Sequence, residues 1–214
     1  MEILPGVLAY DAVDFRKRLL HPELGKVAST FHVDVLDGTL FGTSCWADPS
    51  VIGQWKNLPN IELHCMVAKP VPLVETWKAK VPTLKRVIVH FEIGYSLTDT
   101  LKQLSALEVE VLVAVNPTTA IDQIKGLPLD SLQIMGVEPG QSGQQFLGTS
   151  ILSKIRRAQA LFPNLTLVLD GGVSVANIKQ IMAAGAVRCV ASSALWKAEN
   201  PAQAYAELLN KTVC

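Results

Sequence analysis

Eight short apolar runs rich in β-branched residues recur along the chain, and segments with helical periodicity separate them. Several of the runs are apolar on both faces, as expected of parallel strands that are covered by helices. Eight units in 214 residues give about 27 residues each, close to the length of one strand–helix repeat. We predict strands at residues 3–9, 29–36, 61–67, 86–92, 110–116, 131–137, 165–170 and 187–192.

This alternation predicts an α/β fold. A count of eight favours a closed (β/α)8 TIM barrel over an open doubly wound sheet. No linker or low-complexity stretch divides the chain, so we expect a single barrel domain over residues 1–214. Asn200 is a predicted N-cap, and Pro201 suits the first helical position, so we expect a terminal helix over 202–210.

The composition excludes several classes of protein. Hydrophobic residues make up 49%, which is enough for a large core, and the longest apolar run falls short of the ~20 residues of a membrane span. Nineteen basic residues balance nineteen acidic ones, which gives no electrostatic footprint for nucleic acid or an anionic membrane. Glu2 stands where a signal peptide carries positive charge, and the four cysteines form no C-x-x-C. We therefore expect a cytoplasmic protein with reduced thiols.

Polar residues mark the ends of three predicted strands, where barrel enzymes carry their chemistry. His32 and Asp34 share one face of the second strand, His64 lies in the third, and Asp170 ends the seventh. A lone strand histidine is more often a satisfied core residue, and an H-x-D pair is weak by itself. Two buried carboxylates, however, need a partner, which a metal supplies. We expect one divalent ion bound by these four side chains, with zinc, iron(II), manganese or cobalt suited to such ligands.

The remaining histidines are less informative. His90 either lines the pocket or bonds within the core, and His21 has no predicted role.

Small residues follow the last three predicted strands. Backbone N–H groups in such turns can converge on an anion, and barrels commonly hold phosphate in the loops after strands seven and eight. For any one of these motifs, a glycine that makes a tight αL turn is the better explanation. Because three motifs lie on adjacent strands and contain no lysine or arginine, we predict a phosphate site built from main-chain amides. Its residues are Ser142, Gly143, Gly171, Gly172, Ser192 and Ser193.

Taken together, these motifs resemble the ribulose-phosphate 3-epimerase family over nearly the whole chain. The family pattern H-V-D-x-M-D-G resembles residues 32–38, and H-L-M resembles residues 64–66. The pattern M-x-V-x-P-G-F-G-G-Q-x-F resembles residues 135–146, V-D-G-G-V resembles 169–173, and G-S-A-I-F resembles 192–196.

The resemblance implies a metal-dependent isomerase that epimerises carbon 3 of a phosphorylated ketose, most simply D-ribulose 5-phosphate to D-xylulose 5-phosphate. It implies that His32, Asp34, His64 and Asp170 hold the metal. It further implies that Asp34 and Asp170 are the acid/base pair, that Met66 and Met135 line the pocket, and that the protein is a homo-oligomer, a dimer or a hexamer.

Several positions depart from the family pattern. Gly6 replaces the serine of P-S-I-L, so a hydroxyl near the site is missing, and residues 38–43 differ from the usual loop after strand two. Gln141 and Ser142 replace Phe-Gly in the phosphate loop, and Ser192 replaces a glycine. The residues that face the substrate have therefore changed more than the metal and acid/base set.

These departures leave other functions open. One is epimerisation of a six-carbon ketose phosphate such as D-allulose 6-phosphate, and another is a catalytically silent sugar-phosphate binder. A decarboxylase of the orotidylate group is disfavoured, because the D-x-K-x-x-D signature of that group has no lysine here between Asp34 and Asp37.

Overall fold

The strands close into a parallel barrel in chain order. The computed structural model describes residues 1–93, 97–141 and 143–213. Each strand pairs with the next along the chain, and β8 pairs with β1, so the sheet has no free edge. The strands are β1 Glu2–Val7, β2 Thr30–Leu36, β3 Asn60–Met66, β4 Leu84–His90, β5 Glu110–Val115, β6 Ser131–Met135, β7 Thr166–Asp170 and β8 Arg188–Ala191. The predicted (β/α)8 barrel is confirmed.

Helices surround the barrel and bury its outer face. The helices are α1 Ala12–Leu19, α2 Leu24–Val27, α3 Pro49–Ile52, α4 Pro70–Lys80, α5 Leu97–Ser105, α6 Thr149–Leu161, α7 Ile178–Ala184, α8 Ser193–Trp196 and α9 Pro201–Thr212. The predicted cap of the terminal helix is confirmed, because the Asn200 side chain accepts hydrogen bonds from the N–H groups of Ala202 and Gln203 at 3.1 Å. Strands β1, β4 and β6 each end two residues earlier than predicted, and after β4 the chain forms a 3-10 turn at Phe91–Ile93.

The buried residues of the strands include an apolar cluster and a set of polar side chains. Ile88, Leu112, Ala114, Met135 and Val168 form the apolar cluster, contributed by β4 to β7. The buried polar and charged side chains include His32, Glu62, His64, His90, Gln133 and Asp170. Since burying an unpaired charge is costly, these side chains must be partners for one another.

Three described cysteines are free thiols, with Cys65 and Cys189 buried and Cys45 half-buried. Within the described ranges, no helix is both long and apolar enough to cross a bilayer.

Candidate metal centre and substrate cavity

Four predicted ligands meet at the carboxyl ends of the strands. One donor atom from each of His32, Asp34, His64 and Asp170 lies within 4.8 Å of the others. His32 Nε2 lies 3.3 Å from Asp34 Oδ1, 3.5 Å from Asp170 Oδ2 and 3.3 Å from His64 Nδ1. His64 Nδ1 lies 3.0 Å from Asp34 Oδ1 and 3.3 Å from Asp170 Oδ2. The four side chains could hold a metal ion.

Strand register explains why these residues meet. Asp34 pairs with His64 across β2 and β3, and His32 lies two residues before Asp34, on the same face. Asp170 is the last residue of β7, and β7 and β2 are separated only by β8 and β1 in the closed barrel. Side chains from these two strands therefore converge from different directions on the barrel axis.

The spacing of the donor atoms fits a divalent ion. Ligands bound tetrahedrally at about 2.0–2.1 Å lie roughly 3.3 Å from one another. The five distances given above, from 3.0 to 3.5 Å, bracket that value. Two imidazole nitrogens and two carboxylate oxygens are also borderline ligands of the kind that zinc and its neighbours accept.

Electrostatics favour a cation at the same point. Burial by itself would lower the pKa of His32, but the charge of Asp170 and the hydrogen bonds to Asp170, Asp34 and Glu62 raise that pKa well above its usual value. Burial would raise the pKa of Asp34, but hydrogen bonds with His32 and His64 lower it. Without a metal, the cluster therefore attracts protons onto its imidazoles, and a metal would take their place.

Each histidine of the cluster has a second partner on its other nitrogen. His32 Nδ1 lies 2.7 Å from Glu62 Oε1, and both side chains are fully buried. Arg86 Nε and Arg188 Nη1 lie 2.7 and 3.4 Å from Glu62 Oε2, so two guanidinium groups balance its charge. Glu62 is a member of the site that sequence reasoning missed; its position two residues before His64 on the inward face was the available signal.

The second partner of His64 is another histidine. His64 Nε2 lies 2.8 Å from His90 Nε2, and His90 Nδ1 lies 3.2 Å from Glu92 Oε2. His90 thus bonds within the core, which is one of the two roles considered for it. Glu92 was missed by sequence reasoning. His21 lies outside this cluster, where its Nδ1 accepts a bond from the N–H of Leu24.

One cavity connects the carboxylates to the glycine-rich loops. Asp34 and Asp170 line it, and their side chains are 14% and 13% exposed. The loops after β6, β7 and β8 line it as well. The predicted pocket and phosphate residues along this cavity are Met66, Met135, Gly143, Gly171, Gly172, Ser192 and Ser193. Ser142 lies outside the described residues.

The glycines after β7 are required by the backbone. Gly171 and Gly172 have φ values of +106° and +71°, which side chains rarely adopt. A Cβ on Gly172 would lie 2.7 Å from the Cα of Phe146. Ser192, in contrast, has a φ of −113°, so replacing a glycine there introduces no strain from the left-handed region.

A lysine approaches the predicted phosphate loops, although their motifs contain none. A Cβ built on Gly143 would lie 2.9 Å from Lys197 Nζ and 3.9 Å from Ser193 Cβ. Sequence reasoning missed Lys197, which directly follows α8; its position four residues after Ser193 was the available signal, because residues four apart share a helix face.

The loop after β2 lies over the mouth of the barrel. Thr43 Oγ1 donates to the carbonyl of Gly140 at 3.1 Å, and Thr39 Oγ1 accepts a bond from the N–H of Ala68 at 2.9 Å. The Phe41 ring packs edge-on against the His90 ring, with the two ring centroids 4.8 Å apart. This loop therefore joins the loops after β3 and β6 above the metal centre.

Comparison with known proteins agrees with the geometry. Residues 2–196 match the model of the ribulose-phosphate 3 epimerase family. The chain is 31% identical to the ribulose-phosphate 3-epimerase of Synechocystis sp. over 191 residues, covering 86% of this chain and 82% of the relative. It is 30% identical to that of Chlamydia muridarum over 184 residues, covering 81% and 78%. The names of these relatives confirm the expected class, an isomerase of carbohydrates.

The fold is also similar to that of solved structures with low sequence identity. A structure of 3-hexulose-6-phosphate synthase superposes on this chain with a TM-score of 0.71 over 100% of both chains at 17% identity. At that identity, the likeness shows only that the two proteins have the same barrel fold. The family match, the identity to its members and the His/Asp cluster together lead to one assignment: this chain belongs to the ribulose-phosphate 3-epimerase family.

Proposed function

We propose that the protein is a metal-dependent 3-epimerase that interconverts D-ribulose 5-phosphate and D-xylulose 5-phosphate. The observation that carries this proposal is the cavity that joins Asp34 and Asp170 to the small-residue loops after β6, β7 and β8. A ketose phosphate suits both parts of this cavity. Its carbonyl with an acidic neighbouring C–H suits the carboxylates, and its dianionic phosphate suits the loops. Family membership supports the same reaction.

The proposed chemistry is proton transfer at carbon 3. Removing that proton, which is α to the carbonyl, gives a planar ene-diolate, and returning a proton to the opposite face inverts the centre. Asp34 and Asp170 would be the two groups, one taking the proton and the other giving one. Their positions on β2 and β7 support this role, because side chains from separated strands can approach a bound ketose from two sides.

His32, Asp34, His64 and Asp170 would hold the divalent ion. When bound, it would supply positive charge where the substrate oxygens become negative. We propose zinc as the native metal, with iron(II), manganese and cobalt as alternatives that the same donors accept. Metal analysis of protein purified without added metal would identify it.

Main-chain amides would bind the phosphate. The loop glycines Gly143, Gly171 and Gly172 line the cavity together with Ser193 at the start of α8, and the predicted role of Ser142 stays a prediction. Phosphate held there would orient carbon 3 between the carboxylates. Met66 and Met135 would cover the sugar with apolar surface.

The decisive experiment measures epimerisation of D-ribulose 5-phosphate in heavy water. The product should carry deuterium at carbon 3, because a carboxylate that exchanges with solvent delivers the proton. Asp34→Asn and Asp170→Asn should each abolish epimerisation, with metal content measured alongside. Near-parent rates in both metal-loaded variants, or product without deuterium, would refute the assignment of acid and base.

A six-carbon ketose phosphate is the second candidate substrate. The loop after β2, which departs from the family pattern over residues 38–43, supports it because Phe41 and Thr43 lie above the site. Parallel assays with D-ribulose 5-phosphate and D-allulose 6-phosphate separate the two, since the preferred sugar will have the larger kcat/KM.

A catalytically silent sugar-phosphate binder is the third alternative, and the complete set of four ligands argues against it. Binding of both sugars without turnover in metal-loaded protein would favour it. Assembly as a homo-dimer or hexamer and a cytoplasmic location stay predictions; the native mass tests the first.

A further inference from the structure

We propose that two glutamates, the buried Glu62 and the half-buried Glu92, fix the tautomers of the histidine ligands, Glu62 acting directly on His32 and Glu92 acting on His64 through His90. The proposal rests on the proposed metal site. It assigns Glu62, His90 and Glu92 as positioning residues, which hold hydrogen on the outer ring nitrogen of each ligand, so that the inner nitrogen is the one available to the metal.

The arm at His32 is a single contact. His32 Nδ1 lies 2.7 Å from Glu62 Oε1, and His32 Nε2 points to the carboxylates of the cluster. The guanidinium groups of Arg86 and Arg188 contact Oε2 and keep Glu62 ionised. Its other oxygen, Oε1, therefore accepts a hydrogen bond from His32 Nδ1. The Nδ1 of His32 therefore carries hydrogen, and its Nε2 is the nitrogen that a metal can use.

The tautomer of His64 is fixed by a hydrogen-bonded chain of three side chains, Glu92, His90 and His64. Glu92 Oε1 accepts hydrogen bonds from the N–H of Asn116 at 2.9 Å and from the hydroxyl of Thr119. Its other oxygen, Oε2, lies 3.2 Å from His90 Nδ1. Two donors on one oxygen favour an ionised carboxylate, which can only accept. His90 Nδ1 must then donate to Glu92.

A neutral imidazole that donates from one nitrogen accepts at the other. With hydrogen on Nδ1, His90 offers a lone pair at Nε2, which lies 2.8 Å from His64 Nε2. The Nε2 of His64 must therefore donate to His90. The remaining nitrogen, His64 Nδ1, is the one that lies 3.0 Å from Asp34 and 3.3 Å from Asp170.

The loop after β5 holds the outer end of this chain. Lys154 Nζ donates to the carbonyl of Asn116, and to that of Pro117 at 3.2 Å. The same loop directs the Asn116 N–H at Glu92. A protonated Glu92 would reverse every donor in the chain and put hydrogen on His64 Nδ1, so the direction of the chain decides whether His64 can bind a metal.

Nitrogen-15 spectra of the histidines test this direction in chelator-treated protein. We expect His90 to carry hydrogen on Nδ1 and none on Nε2, His64 to carry hydrogen on Nε2, and His32 to carry hydrogen on Nδ1. Hydrogen on His90 Nε2 would overturn the proposal. Because the protein contains no metal in this measurement, the result is independent of whether the proposed enzyme function is correct.

Two substitutions at His90 test the consequence for metal binding. His90→Gln provides an amide oxygen that can accept from His64, whereas His90→Leu provides no acceptor. We expect the leucine variant to bind zinc about 10–100-fold more weakly than the parent and the glutamine variant to keep most of the affinity. Zinc competition with a chromophoric chelator measures both affinities, and thermal unfolding verifies that both variants fold.

His21→Leu, outside the chain of contacts, is the matched control and should leave zinc affinity unchanged. Equal affinities in the leucine and glutamine variants would overturn the proposal. Failure of the parent protein to bind zinc would instead refute the proposed metal site, while the tautomer assignment would still be decided by the spectra.

Discussion

A side chain at Gly6 would compete with the side chain of Ser192 for space beside the substrate cavity. A Cβ built on Gly6, in β1, would lie only 3.1 Å from the Cβ of Ser192, at the end of β8, and 3.0 Å from Val190 Cγ1. Ser192 lines the cavity together with Leu8. The space that a side chain on residue 6 would need is therefore occupied by Val190 of β8 and by Ser192, which directly follows that strand.

This relationship predicts a non-additive pair of substitutions. Gly6→Ser alone should lower the free energy of unfolding by about 1–3 kcal/mol, because it overpacks a buried contact. Adding Ser192→Gly should recover much of that loss, since Ser192 Cβ is one of the two atoms in the way. Urea unfolding of the four proteins in the cycle measures the coupling. Additive effects of the two substitutions would contradict this competition for space.

Metal binding should depend on His64. We expect about one divalent ion per parent chain and loss of that ion in His64→Ala, because a remaining set of three donors must then hold it. Elemental analysis after gel filtration measures the stoichiometry, and circular dichroism verifies the fold. His21→Ala is the control, and full metal occupancy in His64→Ala would eliminate the assigned ligand set.

Lys197 should assist phosphate binding. Its Nζ would lie 2.9 Å from a Cβ built on Gly143, so an anion beside this loop would gain a charged partner. Lys197→Met should raise the KM for the phosphorylated ketose about fivefold, equivalent to about 1 kcal/mol, with little change in kcat. Lys211→Met, at an exposed position of α9, should change neither constant. Equal kinetics for Lys197→Met and the parent would exclude this role.

Gly172 should be needed for stability as well as for any role in binding. Gly172→Ala forces a side chain into a backbone with φ of +71° and against Phe146, so we expect a loss of at least about 1–2 kcal/mol in the free energy of unfolding. Gly25→Ala is the matched control, because a Cβ there meets nothing within 4 Å and the residue lies in helix α2. A Gly172→Ala protein as stable as the Gly25→Ala protein would contradict the prediction.

Lys154 should contribute a pH dependence to stability. Partial burial lowers its pKa to about 8, despite the nearby charges of Glu92 and Glu138. The unfolded chain, with a lysine pKa of about 10.4, binds more protons above pH 8, so stability from this group rises between about pH 8 and pH 10.4. Subtracting the pH profile of Lys154→Met from that of the parent isolates the contribution. A difference that falls or stays flat over this range would contradict the direction.

The barrel itself was predictable from the sequence. Eight apolar runs with helical segments between them specify strand and helix locally, because burial on both faces and helical periodicity leave a direct record in the order of residues. The cap at Asn200 is equally local, since its side chain bonds to N–H groups two and three residues later. His32, Asp34, His64 and Asp170 were predictable too, because period-two alternation puts them on the inward faces of strand ends.

Other features were decided only by the tertiary structure. The approach of Lys197 to Gly143, the shared space of Gly6 and Ser192, and the contact of His64 with His90 join residues 54, 186 and 26 positions apart. A periodic sequence pattern does not indicate contacts between residues so far apart in the chain. These contacts depend on the closure of the barrel and on the register of each strand with its two neighbours. Sequence motifs indicate which residues are suited to metal binding and proton transfer, whereas closure of the barrel determines which atoms of those residues lie in contact.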